Sequence, residues 1–267
     1  MIITLLTDYG TDDELVGVCH AVIRGIRPGV PIVDVSHGIA RHDIREGAIV
    51  LRNALPYLPV GVHVAVVDPQ VGTERRGVAV RCADGRILVG PDNGVLSLAW
   101  ERAGGAVEAV DVSRSPFRLE PVSATFHGRD VFAPVAARLV AGAELLEAGD
   151  PLDLTELRVL ELPASRIESG VARAHVLLID RYGNVSLDMG HADLLELELT
   201  IGSRVFVGIP TGGAEATVVQ TFADVPEGDL LLYEDAWGSL ALAVNRGDAS
   251  AVMGLAIDDE VAVAPVR

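Results

Sequence analysis

Two rhythms of apolar residues take turns along the first half of the chain. Residues 2–6 form a short apolar run that ends at Thr7-Asp8, and 31–35, 63–67, 77–81 and 87–89 are runs of the same kind. Their β-branched character and turn-rich flanks predict strands. Between them the spacing becomes helical. Leu15, Val16, Val18, Cys19, Val22 and Ile23 give 12–26 an apolar stripe, with acids at its start where a helix dipole favours them. Residues 44–55 read as a second helix followed by Pro56, and 130–147 as a third with Ala, Leu and Val on one face. Strand–helix–strand repetition predicts an α/β domain whose mainly parallel sheet is covered by helices.

After Gly149 the texture changes. Residues 151–170 hold two prolines and little regular pattern, which reads as a linker. Beyond it, short β-type runs at 174–179, 185–187, 204–208, 216–222, 230–233, 239–244 and 260–263 are separated by Gly, Asn, Asp and Pro. That spacing predicts an all-β, barrel-like domain. Only 249–255 looks helical there. The expected organisation is an α/β domain over 1–150, a linker over 151–170 and a barrel-like domain over 171–267.

Composition narrows the function classes. With 267 residues, 49% apolar and 22% charged, the chain can bury sizeable cores. No apolar run approaches the roughly 18–20 residues of a membrane span. The start, MIITLLTDYG, has no basic segment and meets Asp8 at once, unlike a signal peptide. Two cysteines, Cys19 and Cys82, make neither a disulfide framework nor a thiolate metal site, so the expected location is cytoplasmic. A formal charge of −17 without any basic run argues against nucleic acid as a partner. The acidity either favours a cationic ligand or serves solubility alone.

The candidate chemistry gathers at element ends. Thr7–Asp13, TDYGTDD, joins a first strand to a first helix, where open α/β sheets collect ligand groups. It lacks the glycines and lysine of a phosphate loop. Its acids suit a divalent cation or the hydroxyls of a ribose, which one carboxylate can accept together. Asp8, at the strand end, is the ligand candidate; Asp12 serves either as one or as a helix cap. In VVDPQVGTERR, Asp68 and Arg75 stand seven residues apart across a Pro/Gly loop, and TFHGRDVFAP sets His127 before a helix. Singly, these read as a salt bridge and a capping histidine. Together they supply an anion, a cation and an imidazole, a set able to hold and polarise one water. Asp180-Arg181-Tyr182-Gly183-Asn184 reads as a hairpin turn, yet offers a carboxylate, an aromatic face and an amide. Glu234-Asp235-Ala236-Trp237-Gly238-Ser239-Leu240 is similar, and aromatic planes flanked by amides suit a purine.

TDYGTDD, VSHGIARHDIREGA, VVDPQVGTERRGVAV, GPDNGVL, TFHGRDVFAP, DRYGNVSL and GSLALAVNRG occur in this order. Together they closely resemble the S-adenosylmethionine hydroxide adenosyltransferases, adenosine-forming hydrolases related to the fluorinating and chlorinating enzymes. The resemblance runs from Ile3 to about Gly254. It implies hydrolysis of S-adenosyl-L-methionine to adenosine and methionine, with water attacking ribose C5′. Asp68, Arg75 and His127 match the family's water-activating triad, and Asp8 matches the carboxylate that grips the ribose. Asp180, Tyr182 and Asn184 match ligand-contacting groups of the second domain. Ala236 and Trp237 fall where relatives carry a Ser and an Arg or aromatic, and Asp235 where an Asn is usual. Halogenating relatives have an aromatic and small hydroxyl residues where this chain has Asp68 and Val71, a departure that favours water over halide. The resemblance further implies a homotrimer with sites shared between neighbouring subunits. Methionine is a good leaving group, so neither a metal nor a cofactor is expected. Two other classes remain open: a metal-dependent nucleotidase using Asp8, Asp12, Asp13, His37 and Asp43, and a sensor that binds the ligand without turnover.

Overall fold

Strand β1 (Ile3–Thr7) is buried at every position, as a strand must be when helices cover both faces of its sheet. The computed structural model describes residues 1–266. In chain order β1 is followed by α1 (Leu15–Ile26), β2 (Ile32–Ser36), α2 (Ile44–Ala54), β3 (Val62–Val66), β4 (Gly77–Cys82) and β5 (Ile87–Pro91). Then come α3 (Ser97–Arg102), β6 (Ala106–Asp111), a single π-helical turn at Gly128–Phe132, α4 (Ala133–Val140) and β7 (Asp150–Pro151). The sheet order is β2-β1-β3-β5-β4-β6-β7. The first four strands in that order run parallel, and β4, β6 and β7 complete the sheet antiparallel. The parallel block expected from the sequence is therefore present, extended by an antiparallel half.

Side-chain alternation sends the two faces into separate cores. Ile3, Leu5, Val62, Val64 and Val66 pack with Cys19 and Ile23 of α1 and Val135 and Leu139 of α4. Leu6, Ala65, Val78 and Val80 pack with Leu51 of α2 and Ala99 and Trp100 of α3. Edge strand β2 is only partly covered, which explains its polar Asp34 and Ser36.

Several boundaries differ from the sequence reading. Helix α1 starts at Leu15 rather than 12: Glu14 is its N-cap, Asp13 Oδ1 accepts the Leu15 N–H at 3.1 Å, and the acids expected in its first turn precede the helix instead. The helix expected over 130–147 is only α4, entered through the π turn and ended near Gly142 at φ 106°. Helix α3 and strand β6 were not anticipated; each is six residues long, too short for a clear period.

The chain divides into two compact units, the first being Met1–Leu160 and the second beginning at Glu161. Residues 151–160 pack on the first unit: the Leu152 N–H donates to Ala109 O at 2.9 Å, Arg158 N–H donates to Asp92 Oδ1 at 2.8 Å, and Leu157 is buried.

In the second unit, chain order is β8 (Arg166–Glu168), β9 (Val171–Ile179), β10 (Val185–Gly190), α5 (His191–Glu196), β11 (Arg204–Ile209) and β12 (Gly212–Val218). It ends with β13 (Leu230–Glu234), β14 (Ser239–Val244), α6 (Ala249–Met253) and β15 (Glu260–Pro265). The order β10-β14-β13-β12-β11-β15-β9 closes because β9 pairs again with β10, and β8 flanks β9. Closure removes the edges of seven strands. Alternate residues such as Val185, Leu187 and Met189 fill the interior, the period-two pattern of a barrel strand. Helix α5 is an addition to the sequence reading, which found only the region of α6 helical.

One polar group lies deep in the first unit. His63 on β3 is fully buried; its Nδ1 lies 3.0 Å from Thr4 Oγ1 on β1, and its Nε2 has no partner. Burial, aided by the Arg86 guanidinium, lowers its pKa to about 4. Below the ordinary value the unfolded chain takes up a proton that the folded chain refuses, so stability falls as pH drops from about 6.5 towards 4. This histidine alone should cost about 2 kcal/mol between pH 7 and pH 5. Urea denaturation of parent and His63→Leu at both pH values checks this: the variant should lose that part of the acid sensitivity.

Candidate active site

Parallel strands deliver their carboxyl ends to one rim of a sheet. Asp8 follows β1, His37 follows β2 and Asp68 follows β3. Strand β4 runs the other way, so its amino end, preceded by Arg75 and Arg76, returns to that same rim. The topology thus brings the carboxylate and the guanidinium together although no single element holds both.

Arg75 grips Asp68 with two nitrogens: Nε donates to Oδ1 at 3.1 Å, and Nη2 donates to Oδ2 in a shorter bond. The side chains of Arg75 and Asp68 are only 3% and 6% exposed. Nη2 also lies 3.2 Å from His127 Nδ1. A guanidinium only donates, so Nδ1 accepts and the His127 ring carries its proton on Nε2. Asp68, Arg75 and His127 therefore form one connected chain, as their shared placement at element ends suggested. Burial raises the Asp68 carboxyl above its ordinary value, although Arg75 opposes this by charge and hydrogen bond. Burial and then the Arg75 charge lower the His127 imidazole, keeping it neutral near pH 7. A cleft of about 510 Å³, lined in part by Thr73, Arg75, Ser113 and His127, opens beside them.

The supporting residues were not singled out from the sequence. The Arg75 guanidinium lies over the Phe132 ring, 5.6 Å from its centre, and Phe132 is fully buried in the π turn. Asp130 anchors the segment before the turn by accepting the Ser123 N–H at 2.8 Å and pairing with Arg129. Gly72, at φ 79°, lies so close to this segment that a Cβ would meet Ala124 O at 2.5 Å. Beneath His127, the Tyr9 phenol packs on Gly128 and meets Phe126 edge-on at 5.7 Å. Burial raises the Tyr9 pKa well above its ordinary value, so the phenol stays protonated. The aromatics of TDYG and TFHGRDVFAP were the available signal.

Asp8 is half-buried on this rim, and its Oδ2 accepts the His42 N–H at 2.9 Å. The acids of a nucleotidase-type metal set do not gather. Asp13 receives the Leu15 N–H, and Asp43 Oδ1 accepts the Glu46 N–H to cap α2. Among the described residues, the His, Cys, Asp or Glu side chains that converge as a metal would require are His20, Asp34 and His37.

The barrel presents two turns of one design. Asp180 Oδ1 accepts the N–H groups of Tyr182 and Asn184 at 2.8 and 3.0 Å, and Oδ2 accepts Asn184 Nδ2–H at 2.8 Å. Asp235 Oδ1 likewise accepts the N–H groups of Trp237 and Ser239 at 2.8 and 3.0 Å. Each aspartate braces a turn with an aromatic two residues on and a glycine three on. Tyr182 is 68% and Trp237 50% exposed, and Ala236 is exposed between Asp235 and Trp237. Asp180 and Asn184 are thus brought together, and both rings are exposed on these turns.

Models of the two domains of one family match the two parts of the chain: the SAM hydroxide adenosyltransferase N-terminal domain over residues 3–149 and the C-terminal domain over 174–262. The chain belongs to that family. A Salinispora tropica protein named (R)-S-adenosyl-L-methionine hydrolase is 44% identical over 261 residues, covering 98% of this chain and 97% of its own. A fluorinase from an Actinoplanes species is 32% identical, covering 91% of each chain. The crystal structure of an uncharacterized conserved protein from Thermotoga maritima matches with a TM-score of 0.93 at 35% identity, over 98% of this chain and 100% of that one. An α/β domain followed by a β-barrel is thus the shared architecture, as the family resemblance implied.

The close packing under His127 generates a test. A Cβ on Gly128 would lie 2.1 Å from the Tyr9 hydroxyl and 3.1 Å from Cζ. Gly128→Ala should therefore destabilise the protein by about 1–3 kcal/mol through overpacking. Adding Tyr9→Phe removes the worst contact and should restore part of that loss, a coupling read from the melting of the two single variants and the double variant.

Proposed function

We propose that this protein hydrolyses S-adenosyl-L-methionine to adenosine and L-methionine. The observation that carries this reading is the Asp68–Arg75–His127 chain with its buried ion pair, in a protein 44% identical to a relative named as that hydrolase. Water or hydroxide attacks ribose C5′ opposite the sulfonium. The new C5′–O bond forms as the C5′–S bond breaks, and sulfur keeps the electron pair, leaving as the neutral thioether of methionine. The water proton passes to Asp68 and then to solvent. Its raised pKa makes Asp68 a better base than an ordinary carboxylate. His127, its Nδ1 held by Arg75, offers the Nε2 proton to the attacking oxygen. Asp8 accepts the two ribose hydroxyls. Asp180, Tyr182, Asn184, Ala236 and Trp237 contact the rest of the substrate. The leaving group needs no acid, and the reaction uses neither metal nor cofactor.

The active assembly is a homotrimer in which a neighbouring subunit's barrel completes each site. The reaction is placed in the cytoplasm, a setting that suits the two buried free thiols, Cys19 and Cys82. Among the described residues, no helix is long and apolar enough to cross a membrane.

Purified protein with S-adenosyl-L-methionine should release adenosine and methionine in equal amounts, with chelator present, as followed by liquid chromatography. Asp68→Asn and His127→Ala should each lower kcat by about 100-fold or more while adenosine affinity changes little. Asp8→Ala should instead weaken adenosine binding by about 100-fold, through two lost charge-assisted bonds. Unchanged adenosine affinity in Asp8→Ala overturns the ribose assignment.

Shared sites make a separate prediction. Inactive His127→Ala and Asp180→Ala proteins, mixed so that subunits exchange, should regain part of the activity. Absence of recovery despite exchange, measured by native mass spectrometry of differently labelled chains, means that each site is built within one chain.

A further inference from the structure

On the edge of the first unit, away from the Asp68–Arg75 pair in the sheet order, three metal-binding side chains meet. Asp34 lies on edge strand β2, and its Oδ1 is approached by two imidazoles. His20 Nε2 reaches it from α1 at 2.9 Å, and His37 Nε2 from just beyond β2 at 3.0 Å. The side chains of His20 and Asp34 are 26% and 40% exposed, whereas that of His37 is only 5% exposed.

The His37 contact is the informative one. Nε2 is buried and lies 3.0 Å from Asp34 Oδ1, close enough to lower the Asp34 pKa but without the alignment of a good ring N–H hydrogen bond. The other nitrogen, Nδ1, is 2.8 Å from Thr7 Oγ1 at the end of β1. Thr7 Oγ1 also accepts the Tyr9 N–H at 3.2 Å, and a hydroxyl has two lone pairs with which to accept. In the tautomer whose Nδ1–H donates to Thr7, which is the one a metal ion selects, Nε2 presents its lone pair to the cluster. A hydrogen-bond partner fixing the far nitrogen of a ligating histidine is the usual support of a metal site.

The donor set and spacing agree with that. Two imidazole nitrogens and a carboxylate oxygen suit zinc and similar ions, whereas calcium and magnesium prefer oxygen alone. Bonds of about 2.0 Å place tetrahedral donors about 3.3 Å apart, so separations of 2.9 and 3.0 Å need open by only a few tenths of an ångström. The exposed side of Asp34 leaves room for a water at the fourth position. We infer that His20, Asp34 and His37 form a binding site for a divalent transition-metal ion of zinc-like preference. The ion ties α1 to β2 and steadies the Asp8 loop, since His37 O accepts the Gly10 N–H at 2.8 Å. Its role is structural, and it stands on this geometry whether or not the hydrolase reading holds.

Full-length protein stripped with chelator and returned to metal-free buffer provides the test. Cobalt(II) should bind one per chain with the visible absorption of a tetrahedral site, and zinc should displace it. Zinc should also raise the unfolding midpoint and slow amide exchange at Gly10. His20→Ala and Asp34→Asn, both on partly exposed positions, should weaken zinc binding by about 100-fold or more, and Thr7→Val by about 10-fold. His191→Ala, on the barrel, should leave it unchanged. No cobalt spectrum, cobalt uptake undiminished in both His20→Ala and Asp34→Asn, or a preference for calcium over zinc overturns the proposal. Turnover that persists in chelator agrees with the reaction scheme and does not bear on whether zinc binds.

Discussion

The ion pair between Asp68 and Arg75 is the interaction around which the rim of the first unit is arranged. Removing two charges from water costs several kcal/mol each, and a buried pair rarely stabilises a fold more than apolar residues of the same size. Its presence here therefore points to a use other than stability. What offsets the cost is local: two hydrogen bonds within the pair, a third contact to His127 and an aromatic ring under the guanidinium. Each depends on a different element, so the loop after β3, the approach to β4 and the π turn before α4 must keep register for the pair to survive. The π turn is part of that requirement. A π turn adds one residue to a helical circuit and is frequent at functional sites; here it begins just after His127 and carries Phe132 under Arg75.

The sequence made the strand ends legible and left the supports hidden, for a physical reason. Asp8, Asp68, Arg75 and His127 stand out because charged or titratable residues interrupt apolar runs at places where a sheet meets solvent. Phe132 lies in an apolar stretch, while Tyr9 and Phe126 are single aromatics within polar loops, a signal that marks them out but does not say which ring or guanidinium each will support. The pairing of Arg75 with Asp68 was open to inference from spacing, but its burial was not. Seven residues across a Pro/Gly loop fit an exposed salt bridge equally well. Only the antiparallel entry of β4 and the packing of Gly72 on Ala124 place the pair beneath the surface.

Element boundaries failed where a local side chain or a glycine backbone competes with the helix. Asp13 receives a backbone N–H that delays α1, and Gly142 ends α4 long before the apolar spacing does. In the barrel the alternation of Val185, Leu187 and Met189 was enough to predict a strand, but closure was not readable. It requires β9 to pair on two sides, with β15 and with β10, and pairing partners leave no mark in a single sequence. The repeated turn design is the exception. Asp-x-aromatic-Gly at 180–183 and 235–238 states in sequence what the structure repeats in hydrogen bonds.

Charge then bears on what the proposed site accepts. A free arginine beside a sulfonium would repel the substrate and attract anions, halides among them. Arg75 is not free. Its charge is matched by Asp68 at hydrogen-bond distance, so the pair presents little net charge to a cation. A halide held by Arg75 or His127 would sit against the Asp68 carboxylate, where two anions repel strongly in a poorly hydrated pocket. Water suffers no such penalty and becomes negative only as its proton moves towards Asp68. Asp68 thus carries two burdens in the proposed reaction: it takes the proton, and it makes a neutral nucleophile the better fit. The relative named a fluorinase aligns over 91% of this chain at 32% identity, so in the proposed reaction a choice of water over halide rests on side chains such as this one rather than on the architecture.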